Sequence, residues 1–253
     1  MNIFDEKLSV VIPAYNEGKK IYGNLCQMEQ MISSFSNNYE LIAVNDGSTD
    51  NTKEEIERAA KTNSHIISAG YKTNKGKGGA IREGVKRATG KYIAFLDADL
   101  DLSPMHLKSF MEKMAQSNAA AVIGSKLHKD SDVDYPLPRR IMSIGYYLIL
   151  KIMFHLNIKD TQTGVKLFRA ENLEQIIEYV TSNGFAYDIE ILALITLFDG
   201  EIEEMPVQVI FQRGTGWGRI KFSDITKVVK ETLSIYTNVH KVKRMRAQVE
   251  STK

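Results

Sequence analysis

Short apolar runs alternate with helical segments along the first hundred residues. The runs are rich in β-branched and aromatic residues, and each one ends in turn-forming residues before a helical pattern resumes. Strands and helices that alternate at this spacing form βαβ units, which build a mainly parallel sheet covered by helices. The sequence therefore predicts an α/β fold. The predicted strands of this half are 8–13, 39–45, 65–69 and 91–96, and the helices between them are 18–35, a helix from about 52, and 78–88.

The second half of the chain is less regular. A polar stretch at 130–140 predicts a loop, and the weakly charged stretch 141–158 predicts a helix that lies against an apolar surface. Lys151 and His155 interrupt that stretch, so it is marginal for a membrane span of about 20 apolar residues. The remaining pattern predicts strands at 119–125, 165–168 and 202–211, and helices at 186–198 and 224–239.

Size and composition limit the kind of protein. A chain of 253 residues suits a single core, and we expect a catalytic domain over 1–222 followed by a C-terminal helix and basic tail over 223–253. Lys and Arg number 33 against 31 Asp and Glu, which argues against wholesale binding of nucleic acid. The only cysteine, Cys26, excludes an internal disulfide and is predicted to be buried on a helix. The N-terminus lacks the pattern of a signal peptide, so we expect a cytoplasmic location.

Polar motifs directly follow three of the predicted strands. They begin at Tyr15, Asp46 and Asp97. Ligands of parallel α/β sheets gather at the carboxyl ends of the strands. The three motifs are therefore expected to meet at one edge of the sheet and form a binding site there.

The third motif places carboxylates at alternate positions, Asp97, Asp99 and Asp101. Such a cluster needs a neutralising cation or full solvation, and hard oxygen ligands suit Mg²⁺ or Mn²⁺. A calcium-binding EF-hand loop is excluded because Leu102 occupies the position that requires glycine. An ordinary solvated acidic turn is the alternative.

These motifs resemble, in order and spacing, the signatures of family 2 glycosyltransferases. The matching segments are 10–17, 44–50 and 95–99. The resemblance implies the GT-A fold, a Rossmann-like nucleotide-sugar-binding fold with a mainly parallel central sheet flanked by helices. It assigns the nucleobase and ribose to Pro13, Tyr15 and Glu17, the base to Asp46, the diphosphate and metal to Asp97 and Asp99, and a third metal contact to Asp101.

A glycine- and lysine-rich segment, 75–79, precedes the third predicted helix. It lacks the Ser or Thr of a P-loop, and it does not follow the first strand as a dinucleotide fingerprint would. Glycines and lysines before a helix N-terminus nevertheless favour phosphate. Lys75 and Gly78 are therefore candidate donor-binding residues, and a plain basic turn is the alternative.

Motifs in the second half resemble those of dolichyl-phosphate glucose and mannose synthases. These enzymes move one sugar from a nucleotide donor to a polyprenyl phosphate, with inversion. UDP-glucose is the favoured donor because segment 160–168 is closer to the glucose-type members. The alternative donors are GDP-mannose or another UDP or GDP sugar. The alternative acceptor is a soluble or polymeric glycan. The segments that carry the resemblance are 160–168, 185–190 and 213–219.

A phosphate acceptor needs cations more than it needs a base, because a phosphomonoester is already anionic near neutral pH. Arg213 and Arg219 flank a glycine-rich loop and are predicted to be catalytic; Asp188 is a candidate base for a neutral acceptor, or a buried structural carboxylate. The candidate acceptor-phosphate residues are Lys126, Arg139, Arg213 and Arg219, with Arg140 and Lys221 as further cations.

Two segments favour contact with a membrane. The apolar run 141–154 follows Arg139 and Arg140, and the tail 241–246 is basic. Such elements are typical of a helix that lies in the interface of an anionic membrane. We expect peripheral attachment at the inner face of the membrane. A core helix or a contact between copies in a homo-oligomer is the alternative.

Overall fold

Alternating strands and helices form one seven-stranded sheet with helices on both faces. The computed structural model describes residues 2–132, 137–184, 186–209 and 222–250, and for 137–143, 222–229 and Glu250 it describes the backbone alone. The strands are β1 (Leu8–Ala14), β2 (Tyr39–Asp46), β3 (Ile66–Tyr71), β4 (Tyr92–Leu96), β5 (Ala121–Ser125), β6 (Val165–Arg169) and β7 (Ile202–Pro206). The α-helices are α1 (Ile21–Ser33), α2 (Thr52–Thr62), α3 (Lys77–Val85), α4 (His106–Gln116), α5 (Leu137–Phe154), α6 (Ala170–Ile177), α7 (Tyr187–Leu197) and α8 (Phe222–Glu250).

The strand order is β3-β2-β1-β4-β6-β5-β7. Strands β1 to β4 run parallel, β6 is antiparallel to both β4 and β5, and β7 pairs in parallel with β5. The prediction of a mainly parallel sheet flanked by helices is confirmed. Because β6 is reversed, the segment that precedes it lies at the same edge of the sheet as the segments that follow β1, β2 and β4.

Both faces of the sheet are buried. Val10 and Ile12 face an apolar cluster that includes α1, α2 and α4, whereas Val11 faces a second cluster that includes α3, α7 and α8. Side chains alternate between faces along a strand. A strand covered on both faces therefore has a nearly continuous apolar sequence, as Leu8–Ala14 has apart from Ser9.

Two helices were not predicted, and several boundaries differ. Helix α4 has an amphipathic pattern, with Leu107, Phe110, Met111 and Met114 buried, so its signal was present in the sequence. Helix α6 is short and directly follows β6. Helix α5 begins inside the predicted loop 130–140, and strand β7 ends earlier than predicted, at its proline.

The prediction that Cys26 is buried is wrong. The buried positions of α1 are Ile21, Asn24, Leu25, Met28 and Ile32. Cys26 follows Leu25 by one residue, which rotates it off this stripe, and it is exposed. The helical periodicity of its neighbours therefore decides its environment more strongly than its own apolar character.

Helix α8 extends to Glu250, beyond the predicted end at 239. Its residues Ile235, Val239 and Val242 belong to the same apolar cluster as α7. The C-terminal helix thus shares the core of the preceding chain. The division of the chain at 222/223 into a catalytic domain and a C-terminal element stays a prediction.

A buried carboxylate joins the amino ends of three parallel strands. Glu40 accepts hydrogen bonds from the Ser9 hydroxyl (2.6 Å) and from the backbone N–H of Thr89 (2.9 Å), and its second oxygen lies 2.8 Å from the Lys7 ammonium. Burial alone would raise the pKa of Glu40, but these partners outweigh it and lower the pKa below its ordinary value. Because the folded pKa is lowered, the ionised network stabilises the protein above the unfolded pKa, and that stabilisation is lost as the pH falls through the folded pKa.

We predict that Glu40→Gln lowers the free energy of unfolding by about 1–3 kcal/mol at pH 7, because hydrogen bonds to a buried charge are lost. The loss should shrink as the pH falls below 4.5, where the carboxyl of the unfolded chain becomes protonated, and should disappear as the pH falls through the lower folded pKa. Urea unfolding at pH 7 and pH 3.5 measures both values. Glu112→Gln, at an exposed position of α4, is the control and should change stability by less than about 0.5 kcal/mol. An equal loss for Glu40→Gln at both pH values would contradict the charge argument.

Candidate active site

The polar motifs meet at the carboxyl edge of the sheet. Strand β1 ends at Ala14, β2 ends at Asp46 and β4 ends at Leu96, and these strands are neighbours or next neighbours. The residues after them therefore share one edge, as the sequence predicts. The segment 160–164 reaches the same edge because it leads into the antiparallel strand β6.

The loops after β1 and β2 are joined by side-chain hydrogen bonds. Asn16, in the left-handed backbone region (φ 54°), accepts a hydrogen bond on Oδ1 from the Thr49 N–H (2.9 Å), and the Gly18 N–H donates to Asp50 Oδ2 (3.1 Å). These contacts hold Tyr15 at the surface with 47% of its area exposed. Its ring is therefore accessible for stacking.

Pro13, in β1, and Glu17, just after it, are both half-buried. The Glu17 N–H donates to the Thr52 hydroxyl at 2.8 Å, which ties this segment to the start of α2. Both predicted donor residues thus lie at the common edge, beside the exposed Tyr15.

Asp46 is buried and already has several partners. It accepts hydrogen bonds from the Tyr71 hydroxyl (2.6 Å), the Asn74 amide (3.1 Å) and the Lys75 N–H (2.8 Å). Burial and the adjacent carboxylate raise the pKa of Tyr71, so the phenol stays protonated and donates. The Lys75 ammonium lies 4.3 Å from the centre of the Tyr71 ring. Asp46 therefore shapes the loop between β3 and α3 at the same time as it borders the site.

The acidic turn after β4 is fixed by a hydrogen bond from helix α1 and has an unusual backbone conformation. The Asn24 amide donates to the Ala98 carbonyl (2.7 Å), and Leu100 adopts the left-handed region (φ 61°), which is unusual for leucine. The Asp101 N–H donates to Asp99 Oδ1 at 3.2 Å. Strained backbone of this kind is found where a functional geometry is imposed.

A lysine that the sequence did not single out is the direct partner of this turn. The Lys77 ammonium forms an ion pair with Asp97 Oδ1. Burial alone would lower the pKa of Lys77, but the surrounding carboxylates, led by Asp97 and Asp188, raise it, so the side chain is a cation. Lys77 is the first residue of α3, where a positive charge opposes the helix dipole. That local conflict is the sequence signal that could have identified it.

A second ion pair lies buried beside the first. Lys166 is 1% exposed and Asp188 is 4% exposed, and their charged atoms are 2.7 Å apart. The Lys166 ammonium also donates to the Thr163 carbonyl at 2.6 Å. The sequence left open whether Asp188 is a base or a structural carboxylate, and the structure places it in a buried ion pair.

The segment before β6 packs directly on the acidic turn. A Cβ atom at Gly164 would lie 2.0 Å from Asp97 Oδ2, so any side chain there collides with the carboxylate. Asp160 braces this segment: it accepts hydrogen bonds from the Thr163 hydroxyl (2.6 Å) and the Lys126 N–H (2.9 Å), and the Lys126 ammonium is 3.8 Å away. Lys126, a predicted phosphate ligand, therefore lies at this edge of the sheet.

The other predicted cations lie outside what the structure describes. For Arg139 and Arg140 only the helical backbone of α5 is described, and Arg213, Arg219 and Lys221 fall in 210–221. Gly78 is described: its N–H donates to the Asn183 carbonyl at 2.9 Å.

The residues at the acidic turn suit a divalent cation bound together with a phosphate ligand. Across the described ranges, no three His, Cys, Asp or Glu side chains converge on a preformed metal cage. Magnesium and similar ions are commonly held by one or two carboxylates plus substrate phosphates and water. Asp97 and Asp99 offer hard oxygen ligands of that kind.

The sheet order and the acidic turn at its carboxyl edge define a GT-A fold of the glycosyltransferase class. A crystal structure of glucosyl-3-phosphoglycerate synthase from Mycobacterium tuberculosis in complex with Mn²⁺, uridine diphosphate and phosphoglyceric acid matches 91% of this chain and 78% of that one, with a TM-score of 0.67 and 18% identity. The model of glycosyl transferase family 2 matches residues 9–177. The chain belongs to this family and is a glycosyltransferase.

Curated relatives match most of the chain. A dolichyl-phosphate beta-glucosyltransferase of Trichomonas vaginalis is 32% identical over 239 residues, which are 90% of this chain and 72% of the relative. Enzymes of the same name from Saccharomyces cerevisiae and Dictyostelium discoideum are 30% and 32% identical over 79% of this chain, which spans 66% and 65% of their lengths.

Proposed function

We propose that this glycosyltransferase moves glucose from UDP-glucose to a polyprenyl phosphate at a membrane surface. The observation that carries the proposal is the Lys77–Asp97 ion pair at the edge where the donor motifs meet. A cation and a carboxylate placed side by side match a diphosphate and the divalent ion that accompanies it. The names of the relatives support the choice of sugar and acceptor.

The nucleoside end of the donor is assigned to the loops after β1 and β2. The exposed ring of Tyr15 is available to stack on the base, with Pro13 and Glu17 beside it. Asp46 borders this region through a network that fixes its carboxylate. Lys75, held over the Tyr71 ring, contributes positive charge.

The diphosphate end is assigned to the acidic turn. Asp97 and Asp99 would hold Mg²⁺ or Mn²⁺, with Asp101 as a third contact, and the bound ion would stabilise charge on the leaving diphosphate. Lys77 is a cation in contact with Asp97, and from this position its ammonium would contact the diphosphate. The N–H of Gly78 is already donated to Asn183, so Gly78 serves the donor site by allowing close packing.

The proposed reaction is a single displacement. An oxygen of the acceptor phosphate forms a bond to the sugar C1, while the bond from C1 to the β-phosphate oxygen of UDP breaks and its electron pair leaves with UDP. One displacement inverts C1, which converts the α-linked donor into a β-linked product. The name beta-glucosyltransferase, which the relatives carry, agrees with this outcome.

The environment of Asp188 favours a phosphate acceptor over a glycan hydroxyl. A hydroxyl acceptor needs a base that is accessible and free to take a proton. Asp188 is buried and paired with Lys166, so it is better suited to orient the charges around Asp97. A phosphate acceptor needs cations instead, and Lys126, Arg139, Arg213 and Arg219 remain the proposed set.

An exposed apolar stripe on α5 supports attachment to a membrane. Ile144, Leu148, Ile149 and Ile152 are 44–78% exposed, while Leu150 and Phe154 of the same helix are buried. No helix within the described ranges is both long and apolar enough to cross a bilayer. We propose that α5 lies flat in an anionic membrane surface, aided by the basic positions of 241–246, and that this surface faces the cytoplasm. Contact between copies of the chain is the competing use of this stripe.

Transfer of labelled glucose tests the proposed reaction. With UDP-[¹⁴C]glucose, Mn²⁺ and a polyprenyl phosphate, the label should move to a product that partitions into organic solvent. Asp99→Ala should lose at least about 100-fold of this activity, because the diphosphate loses its cation. GDP-mannose in place of UDP-glucose tests the alternative donor. A labelled product that stays in water would refute the lipid acceptor.

We predict that Gly164→Ala weakens binding of UDP in the presence of Mn²⁺ by at least about tenfold. The added methyl group collides with Asp97 Oδ2 and must turn this carboxylate away from the site. Isothermal titration calorimetry measures the dissociation constant. Gly145→Ala is the matched control, because a Cβ at Gly145 meets nothing within 4 Å. Equal affinity in the two variants would remove Asp97 from the donor site.

We predict that Ile152→Glu reduces co-flotation with vesicles containing anionic lipid by at least about fivefold, because a charge replaces the most exposed apolar side chain of the stripe. Met105→Glu, at an exposed apolar residue outside α5, should float like the wild type. If Ile152→Glu floats normally but changes the oligomeric state in sedimentation, the stripe joins copies of the chain.

A further inference from the structure

A buried carboxylate outside the acidic turn organises the segment that packs against the start of α3. Glu190, in α7, is 0% exposed. One oxygen accepts hydrogen bonds from the Thr181 N–H (3.0 Å) and the Ser182 N–H (2.7 Å), and the other accepts from the Thr181 hydroxyl (2.9 Å) and the Asn238 amide (2.7 Å). Its two oxygens therefore fix the backbone of 181–184, which we name the clamp segment.

The clamp segment in turn holds the first turn of α3. The Gly78 N–H donates to the Asn183 carbonyl (2.9 Å), and Arg82 donates to the Ser182 carbonyl (2.7 Å). Arg82 also contacts the Asn183 side chain. The helix that begins with Lys77 is therefore attached to the clamp segment at both its first and second turns.

The packing between the two is close enough to require glycine. A Cβ atom at Gly76 would lie 2.4 Å from the Asn183 carbonyl oxygen, and one at Gly78 would lie 2.4 Å from the Ser182 carbonyl oxygen. Gly76 also has φ +85°, a conformation that side chains other than glycine rarely adopt. Sub-ångström displacement of the clamp segment would consequently move the start of α3.

From this geometry we propose that Glu190 is a positioning residue of the donor site. Glu190 fixes the clamp segment, the clamp segment fixes the start of α3, and the start of α3 places the Lys77 ammonium on Asp97. Glu190 itself touches no substrate. The inference rests on the proposed function, since it concerns how tightly the site holds the donor diphosphate.

The C-terminal helix takes part through Asn238. The amide nitrogen of Asn238 donates both to Glu190 and to the Tyr179 carbonyl (2.8 Å), and it has two hydrogens for these two acceptors. Helix α8 therefore supplies the fourth hydrogen-bond donor to Glu190. Removal of this amide takes away one donor and leaves the three on the clamp segment in place.

The test is calorimetric binding of UDP with Mn²⁺, well below the melting temperature of each variant. Glu190→Ala should raise the dissociation constant at least about tenfold. Glu190→Gln keeps an oxygen for the two N–H donors and should recover most of the affinity. The variant Glu40→Ala, which removes a comparable buried carboxylate at the opposite edge of the sheet, is the stability control and should bind UDP normally.

A double-mutant cycle separates positioning from general destabilisation. Arg82 links the clamp segment to α3, so in an Arg82→Ala background the change Glu190→Ala should weaken UDP binding less than about threefold further. Full additivity of the two losses, or an unchanged dissociation constant in Glu190→Ala, would overturn the proposal. If Glu190→Ala does not fold, Asn238→Ala replaces it; a twofold to fivefold loss of affinity supports the proposal, and no loss overturns it.

The binding experiment distinguishes failure of the positioning role of Glu190 from failure of the proposed function. Binding of UDP needs no acceptor, so wild-type enzyme that binds UDP but yields no lipid-soluble product leaves the role of Glu190 standing. Wild-type enzyme that does not bind UDP with Mn²⁺ refutes the proposed donor, and with it the inference.

Discussion

The fold at the site depends on compensation of the negative charge at the end of β4. Asp97 follows a fully buried strand, and Lys77 is the cation that meets it. Lys77 reaches this carboxylate only because Gly76 and Gly78 allow α3 to begin against the clamp segment. Gly164 allows the segment before β6 to pack on the other oxygen of Asp97. One electrostatic requirement thus explains glycines in separate parts of the sequence.

The charges around Asp97 alternate in sign. Lys77 is attracted by both Asp97 and Asp188, and Asp188 is paired with Lys166. Buried ion pairs contribute little net stability, because desolvation offsets most of the attraction. Apolar residues of similar volume would serve the core as well. The arrangement is better explained by a need to hold one ammonium and one carboxylate at fixed positions, where the proposed donor would bind.

The sequence predicted the strands that form the site better than it predicted the side-chain contacts within the site. Strands β1, β2 and β4 begin and end within one residue of their predicted bounds, because each is an apolar run closed by a polar motif. The convergence of Tyr15, Asp46 and Asp97 followed from parallel topology alone. Lys77 and Lys166 were not predicted as site residues, since their partners are distant in sequence and become neighbours only through helix packing and strand register.

Helix α8 connects the two ends of the proposed reaction. Its Thr232 hydroxyl hydrogen-bonds to the Tyr146 hydroxyl of α5 at 2.9 Å, and its Asn238 amide donates to Glu190. A transferase with a lipid-bound acceptor must bring a phosphate at membrane depth to a sugar held by the protein. Proximity of the two reactants accelerates the reaction only if their separation is fixed. If α5 lies in the membrane as proposed, helix α8 would supply such a fixed separation, because it contacts both α5 and Glu190. Continuous packing is enough for this role, and no conformational signal between the two ends is needed.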